Sequence, residues 1–499
     1  MEVVLISFAC FGAVILNLAV EHRNRNRAIG VASLSAIVIG AMIYGYGYAR
    51  YYQSRVVAVL HTMYSVCIMF AGNNDYGTIR EAIGFQSSWV EALFWLAHFL
   101  AFYSTVSAAI GILGAGLLRM IKITMLRRSD LLLIYGINER TIAYGRSLKR
   151  SIIFVDTTCS GDQEAAINAM GAVVDQSQAA VHPNTDFLRR IGIKPGEKRI
   201  EIAAMSDDQT ANLDYAKAML SALTAAGIKP EQTKLLIRHD EADSMQWQQD
   251  HAGYGSVFAF DEYSLVARLL MRKMPPCNAV DFQDGMAQEN FHAVIVGFGG
   301  TGRAVLEQLV MNGQFTGSRF AVDIFDPHAQ WGDLYGHGIL KQYDIHIHAF
   351  SGRSDDFYAY LQEHTPNYFV ICTGNRKEND EIARELKRWY GSRAPIIAQC
   401  SRYGLIYDGN SESIYTPAVL DVDRMDRRAM AINQVYYQGN GQTAAENWRN
   451  CDYSSRMSCR AAADYYPAFI KASGIPKGEI TEESWKQMSK NLLETLART

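Results

Sequence analysis

The sequence predicts an α/β protein with long apolar helices first, then two parallel-sheet units, then a small helical one. Three observations carry that reading. Uncharged runs of membrane length are confined to the residues before 120. Two glycine turns follow, at Gly136 and Gly297, each between an apolar strand and a helix. The stretch from 426 onward reads as helices.

Composition narrows the possible functions. At 499 residues, a length of roughly 150 per domain implies three or four units. A net charge of −3 and a pI of about 6.5 make no electrostatic case for nucleic acid, which is not an expected partner. Mean hydropathy is −0.07, an average over an apolar start and a polar remainder. Eight cysteines (Cys10, Cys67, Cys159, Cys277, Cys372, Cys400, Cys451, Cys459) form no CxxC pair. Reduced thiols are expected, without a disulfide framework or metal cofactor.

Residues 3–20, 28–49 and 92–118 hold 18, 22 and 27 residues without a charge. About 20 apolar residues cross a bilayer as helix, so all three are expected spans within a membrane region 1–124. Glu2, and no basic segment, precedes the first, which reads as an uncleaved anchor and not a secretory signal. Arg23, Arg25 and Arg27 follow the first span; Arg119, Lys122, Arg127 and Arg128 follow the last. The positive-inside tendency puts both clusters in the cytoplasm. Three crossings satisfy it, with the N-terminus outside and the large C-terminal region cytoplasmic. The fourth apolar stretch, 56–72, is then a re-entrant helix.

A span, a re-entrant helix, a polar loop and a span form the layout of a tetrameric cation-channel pore. The loop reads Gly72-Asn-Asn-Asp75-Tyr76-Gly77 and lacks a TVGYG-like strand, whose carbonyls replace the water shell of potassium. Asn74 and Asp75 are candidate pore-mouth residues; a merely solvated loop aspartate is the alternative. His61 and His98 lie in apolar stretches, as packing histidines or as proton relays.

From Asp130 strands and helices alternate. Residues 131–135 form a strand, Gly136-Ile-Asn138 the turn, and 142–148 a helix. A second strand, 151–155, ends at Asp156, 20 residues after Gly136, a spacing that suits a ribose hydroxyl. Strands 199–204 and 234–237 continue the sheet. The order recurs after 290, with strands 294–296, 320–325, 345–350, 368–373 and 395–399. An internal duplication is expected, one copy at 125–280 and the other at 290–425.

The second turn reads Val294-Ile-Val-Gly297-Phe-Gly299-Gly300-Thr-Gly302. Gly297 allows the tight turn, Gly299 lets backbone approach a pyrophosphate, and Gly302 lets helix pack on sheet. Asp326 ends the next strand, 29 residues on. The first copy has Asn138 and Thr141 where the later glycines would stand. Gly136, Asn138, Asp156, Gly297, Gly299, Gly300, Gly302 and Asp326 are therefore the candidate cofactor-binding residues. They suit NAD(H) or another adenine nucleotide in a Rossmann-type fold; a glycine turn kept only for packing is the alternative. No Cys, His or Lys is placed for hydride transfer, so an enzyme is not expected.

The segments Leu131-Leu-Leu-Ile-Tyr-Gly-Ile-Asn-Glu-Arg-Thr141, Ile152-Ile-Phe-Val-Asp156, Ser206-Asp-Asp208 to Asn212, and Asp261-Glu-Tyr-Ser-Leu-Val-Ala-Arg-Leu-Leu270 resemble the regulator-of-potassium-conductance (RCK, TrkA-N) family over about 125–425. The resemblance implies nucleotide-like ligands, intersubunit contacts and control of a membrane pore.

Residues 426–499 form the last unit. A helix at 428–437 precedes a Gly-rich loop, Trp448 and Ser455-Arg456-Met-Ser-Cys-Arg460-Ala-Ala-Ala-Asp464. This is similar to a ryanodine-receptor (RyR) repeat module. Tyr436, Trp448, Arg456 and Arg460 are candidates for an aromatic and cationic pocket for a nucleotide or other anion. The alternative makes Trp448 and Tyr436 a small core with the arginines in solvent. A final amphipathic helix is expected at 481–499.

The order of units is similar to a family of bacterial membrane proteins joining a few spans, TrkA-N-like domains and a RyR module. It implies a ligand-gated, nucleotide-sensing, RCK-regulated ion-channel-like protein of the bacterial inner membrane, with a stress or phage-defence effector as the role such a family suggests. The expected partners are the lipid bilayer, a nucleotide or cyclic-nucleotide-like ligand, inorganic cations and further copies of itself. The alternatives are a membrane-anchored NAD(P)-dependent oxidoreductase or epimerase, and a non-conducting scaffold.

Overall fold

The computed structural model describes residues 22–83, 88–126, 130–196, 199–250, 256–330, 342–393 and 395–475. The expected span at 3–20 and the helix at 481–499 lie outside them. The chain divides into two compact units, Met1–Met125 and Leu126–Thr499.

In the first unit, helices His22–Tyr51, Arg55–Met69, Tyr76–Ile83 and Ser88–Leu126 follow one another. Among the described residues two stretches, Ile29–Tyr51 and Trp89–Ala109, are long and apolar enough to cross a membrane. The Arg55–Met69 helix is 15 residues, roughly 22 Å at 1.5 Å per residue, too short for a full crossing. Val31, Leu34, Met42, Leu60 and Trp89 stay exposed, an outward face suited to lipid. Inward, Tyr44, Tyr48, Val66, Ile79 and Phe94 form one cluster. Gly47 makes room for it, since a Cβ there would stand 2.5 Å from Ile79 Cδ1. The Tyr76–Ile83 helix was not expected; it is short and buries only Ile79.

Among the described residues the second unit contains two large sheets and one two-stranded hairpin. Strands β1 (Leu131–Tyr135), β2 (Ser151–Val155), β3 (Val173–Asp175), β4 (Ile200–Ala204), β5 (Thr233–Arg238) and β6 (Ser256–Phe260) are all parallel, in the order β3-β2-β1-β4-β5-β6. That is the doubly wound Rossmann order, reversing direction between β1 and β4. A small hairpin, β7 (Phe282–Gln283) and β8 (Met286–Ala287), leads to the second sheet. Its strands are β9 (Phe291–Val296), β10 (Phe320–Phe325), β11 (Asp344–His348), β12 (Tyr368–Ile371), β13 (Ile396–Ser401), β14 (Gly404–Tyr407) and β15 (Asn410–Ser413). The order is β11-β10-β9-β12-β13-β14-β15, and here an antiparallel hairpin, β14–β15, follows the fifth strand where the first copy has β6. The duplication is thus a repeat of the first five strands.

The two sheets share a core. Val266 and Leu270 of the Glu262–Lys273 helix pack with Phe291, Val305 and Leu309 of the second copy, and the same cluster takes in Trp448 and Ala463. The C-terminal helices Arg427–Tyr436, Ala444–Asn450 and Tyr453–Ser473 are therefore part of one body with the sheets. The last ends on Gly474 in the left-handed conformation, a common helix stop.

Candidate functional site

The second glycine turn is built mainly by packing. Gly297 has φ +97°, and a Cβ there would lie 2.6 Å from the Cys372 carbonyl oxygen at the end of β12. A Cβ on Gly302 would meet the Gly297 carbonyl at 2.2 Å, and one on Gly300 the Tyr263 ring at 2.7 Å. Gly299 differs from all three. Nothing lies within 4 Å of a Cβ built there, and it caps the Gly300–Asn312 helix without a side-chain hydrogen bond. The first N–H groups of that helix therefore have no cap, which is the condition for holding an anion.

The first copy is closed at the same place. Gly136 repeats the turn at φ +98°, with Ser206 Cα 2.4 Å from a built Cβ. Asn138 then caps the Glu139–Arg146 helix: its Oδ1 accepts the N–H of Arg140 at 3.1 Å and of Thr141 at 3.0 Å. Thr141 Oγ1 accepts the Asn138 N–H in return, at 3.0 Å. The donors a phosphate would use are spent on the protein's own amide. Arg140 covers the mouth, paired with Asp207 and stacked 4.3 Å over the Tyr403 ring.

The strand-end acids behave alike. Asp326 accepts the Phe298 N–H at 2.7 Å and the His328 N–H at 2.8 Å. Asp156 accepts the Ile137 N–H at 2.6 Å and the Thr157 N–H at 2.7 Å. Each carboxylate clips its glycine turn to the next strand. A carboxylate oxygen has two lone pairs, so a ribose hydroxyl could still be accommodated.

A cleft of about 700 Å³ opens at the second turn, at the ends of β9, β12 and β13 where the strand order reverses. Gly297, Gly299, Gly300, Asp326, Thr373, Arg376, Gln399, Arg402 and Tyr403 line it. In open α/β sheets this crevice is the usual ligand position. Arg376 and Arg402 bring positive charge, and Gln399 Oε1 is buried there without a hydrogen-bond partner. Asn379 supports the rim, accepting the Thr373 N–H at 3.0 Å, as Asn212 accepts the Ser206 N–H at 2.7 Å in the first copy. Cys372 donates to the Gly297 carbonyl at 3.1 Å, and burial pushes its thiol up to about 12. Burial pushes Cys400 up as well. Both thiols are packing groups at neutral pH.

Of the four residues expected around a C-terminal pocket, Trp448, Arg456 and Arg460 come together, and all three are buried. Tyr436 is 78% exposed. Trp448 is buried, with the Arg456 and Arg460 guanidiniums 5.4 and 5.7 Å from its ring. Both arginines are buried too, and carboxylates occupy them. Arg456 meets Glu241 at 3.0 Å; Arg460 meets Glu241 at 2.5 Å and Asp426 at 2.6 Å. A buried guanidinium needs such a partner, so the space an anion would take is filled from within the chain. Neither expectation for this unit anticipated buried arginines.

In the first unit, Asn74 is exposed and accepts the Tyr76 N–H at 3.2 Å. Asp75 accepts from Tyr48 and from Thr78, each at 2.7 Å, and its own N–H reaches Tyr44 Oη at 3.3 Å. It ties the polar loop to the His22–Tyr51 helix. His98 bonds Tyr44 and the Phe94 carbonyl, and His61 stacks on Tyr52, so both histidines pack. Among the described residues no three His, Cys, Asp or Glu side chains are grouped to hold a metal ion.

No protein-family profile and no curated protein matches the chain. Several solved structures are similar to it, two of them as follows. One, titled "Crystal structure of the GsuK bound to ADP", is 14% identical with a TM-score of 0.29, covering 75% of this chain and 96% of that one. The other, "GsuK Channel", is 13% identical with a TM-score of 0.30 and the same coverage. Values this low assign nothing to the chain, whose Rossmann architecture is plain from its own strand orders.

Proposed function

We propose that the chain is a nucleotide-sensing membrane protein, in which the second glycine turn receives the diphosphate of an adenine nucleotide or dinucleotide such as NAD(H). The observation that carries this reading is the bare Gly299 cap on a cleft of about 700 Å³ bordered by two arginines. The first copy, capped by Asn138, is not a receptor in this reading. The buried, protonated thiols of the cleft favour binding over thiol chemistry. Apolar helices in the same chain make a membrane pore the output, assembled from several copies, most simply four around one axis. The positive-inside pattern then puts the sheets in the cytoplasm. Ligand drives such a pore only by binding one of its conformations better than the other.

The test uses full-length protein in detergent, titrated calorimetrically with ADP, ATP, NAD+ and NADH, and then reconstituted in planar bilayers with the nucleotide that binds. Saturable binding followed by nucleotide-dependent current is expected. No binding, or binding without current, contradicts the sensing or the pore half respectively.

A further inference from the structure

Glu262 sits where the two glycine-turn mouths meet. It opens the Glu262–Lys273 helix, is 2% exposed, and takes cationic partners from both copies. From the first, Arg238 Nε lies 3.0 Å from Oε2 and Arg140 Nε lies 3.9 Å from Oε1. From the second, Arg402 donates Nε to Oε2 at 2.6 Å, and the Tyr415 hydroxyl donates to Oε1. The two sides also stack: the Arg140 and Arg402 guanidiniums lie 4.3 and 5.7 Å from the centre of one ring, Tyr403.

Each arginine is also attached to its own mouth. Arg238 donates to the Ser206 and Asp207 carbonyls at 2.8 and 3.0 Å, on the turn that faces Gly136. Arg140 pairs with Asp207. Arg402 lines the cleft of the second copy.

Three guanidiniums thus share two carboxylates, Glu262 and Asp207. Arg402, with 35% of its side chain exposed, is the one that reaches the cleft. A phosphate there competes with Glu262 for a charge-assisted hydrogen bond. A buried carboxylate cannot be left short of partners, so Glu262 draws harder on Arg140 and Arg238 as Arg402 turns away.

We propose that Arg402 is shared between Glu262 and a ligand diphosphate, and that its transfer couples the second cleft to the Arg140–Asp207 mouth of the first copy. The proposal rests on the nucleotide reading above. The first copy, closed to ligand by Asn138, becomes the responding element. Because such coupling is reciprocal, whatever weakens the hold of Glu262 on Arg402 strengthens ligand binding.

Full-length protein in detergent is titrated with ADP and NAD+ as wild type, Glu262→Gln and Arg402→Gln. Glu262→Gln removes the competitor and should tighten binding about fivefold or more, the low end of ordinary coupling. Arg402→Gln should weaken it. A purely structural Glu262 would give weaker or unchanged binding in both variants. Glu262→Gln leaves Arg238 short of a partner, so a second readout uses the wild type alone. Hydrogen exchange with and without nucleotide should change in the Glu139–Arg146 helix and at 206–208; if the variant fails to fold, this result decides. Nucleotide binding with exchange changes confined to 290–425, or a folded Glu262→Gln that binds no tighter, overturns the coupling and leaves the nucleotide site standing. No binding to wild type overturns both.

Discussion

Asn138 Oδ1 accepts the Thr141 N–H at 3.0 Å, putting a side-chain amide at the helix N-terminus that the second copy leaves bare at Gly299. One duplicated turn has thereby taken two states. In the first its donors are satisfied by the chain; in the second they await a partner. The first five strands, the strand-end acids and the rim asparagines recur in both.

Opening the first turn should therefore create a weak site. Asn138→Gly costs only a few tenths of a kcal/mol at a helix cap and releases the Arg140 and Thr141 N–H groups. Calorimetric stoichiometry should rise above that of wild type at high nucleotide concentration. An unchanged stoichiometry would mean that Arg140, Asp207 and Tyr403 close the mouth by themselves.

Acid should unlock one edge of the second sheet. Burial alone would raise the Asp323 carboxyl, but hydrogen bonds from His292, Tyr360 and His348, each at 2.6 Å, outweigh it and hold the group at about 2. Its ordinary value is about 3.9, so the folded form binds its proton less readily than the unfolded. The stabilisation, roughly 2–3 kcal/mol, is complete above pH of about 5 and fades as pH falls toward 2. Asp323→Asn should lower the melting temperature at neutral pH, and the gap to wild type should close on acidification. A gap that stays constant with pH would show that the charge contributes nothing.

Trp448 is the pin of the C-terminal helices. It is 1% exposed and packs against two buried, ion-paired arginines. Trp448→Ala should cost about 3–5 kcal/mol, the usual range for a buried aromatic, and lower the melting temperature of the unit as a whole, because its core is continuous with both sheets. If only these helices become protease-sensitive while the sheets melt as before, the shared core is not cooperative.

The Tyr48 hydroxyl is one of the groups that tie the polar loop of the first unit to the His22–Tyr51 helix. Tyr48→Phe keeps the ring and removes both 2.7 Å bonds of its hydroxyl, to Asp75 and to Ser65 of the Arg55–Met69 helix. Amide exchange should accelerate across 70–75 and around Ser65 in the Arg55–Met69 helix. Unaltered exchange would assign the loop to other contacts.

Much of this architecture is legible in the residues. Apolar runs ending in Gly136 and Gly297 mark β1 and β9 because a buried parallel strand must be apolar on both faces. Gly299 as the open position also follows from spacing. What escaped was set by partners far along the chain. The acid Glu262 beside the cap Asp261 looks like any solvated helix start, and only the fold brings Arg140, Arg238 and Arg402 to it. Arg456 and Arg460 read as ligand-binding cations because Glu241 and Asp426 cannot be paired with them from sequence. The hairpin β14–β15 had a readable signal in Asp408-Gly409, both at positive φ, the preferred pair for a two-residue turn. At three residues, β3 carries too little pattern to be seen.

The central claim is that nucleotide enters the second copy, at Gly299. Its most direct test is calorimetric titration of full-length wild type, Gly299→Val and Asn138→Val with ADP and NAD+. Gly299→Val puts a branched side chain into space that is open in the protein alone, so folding should survive while the phosphate position is filled. The account predicts one nucleotide per chain in wild type, no detectable binding in Gly299→Val, and near-normal binding in Asn138→Val. Wild-type affinity in Gly299→Val, with loss of binding in Asn138→Val, would contradict it.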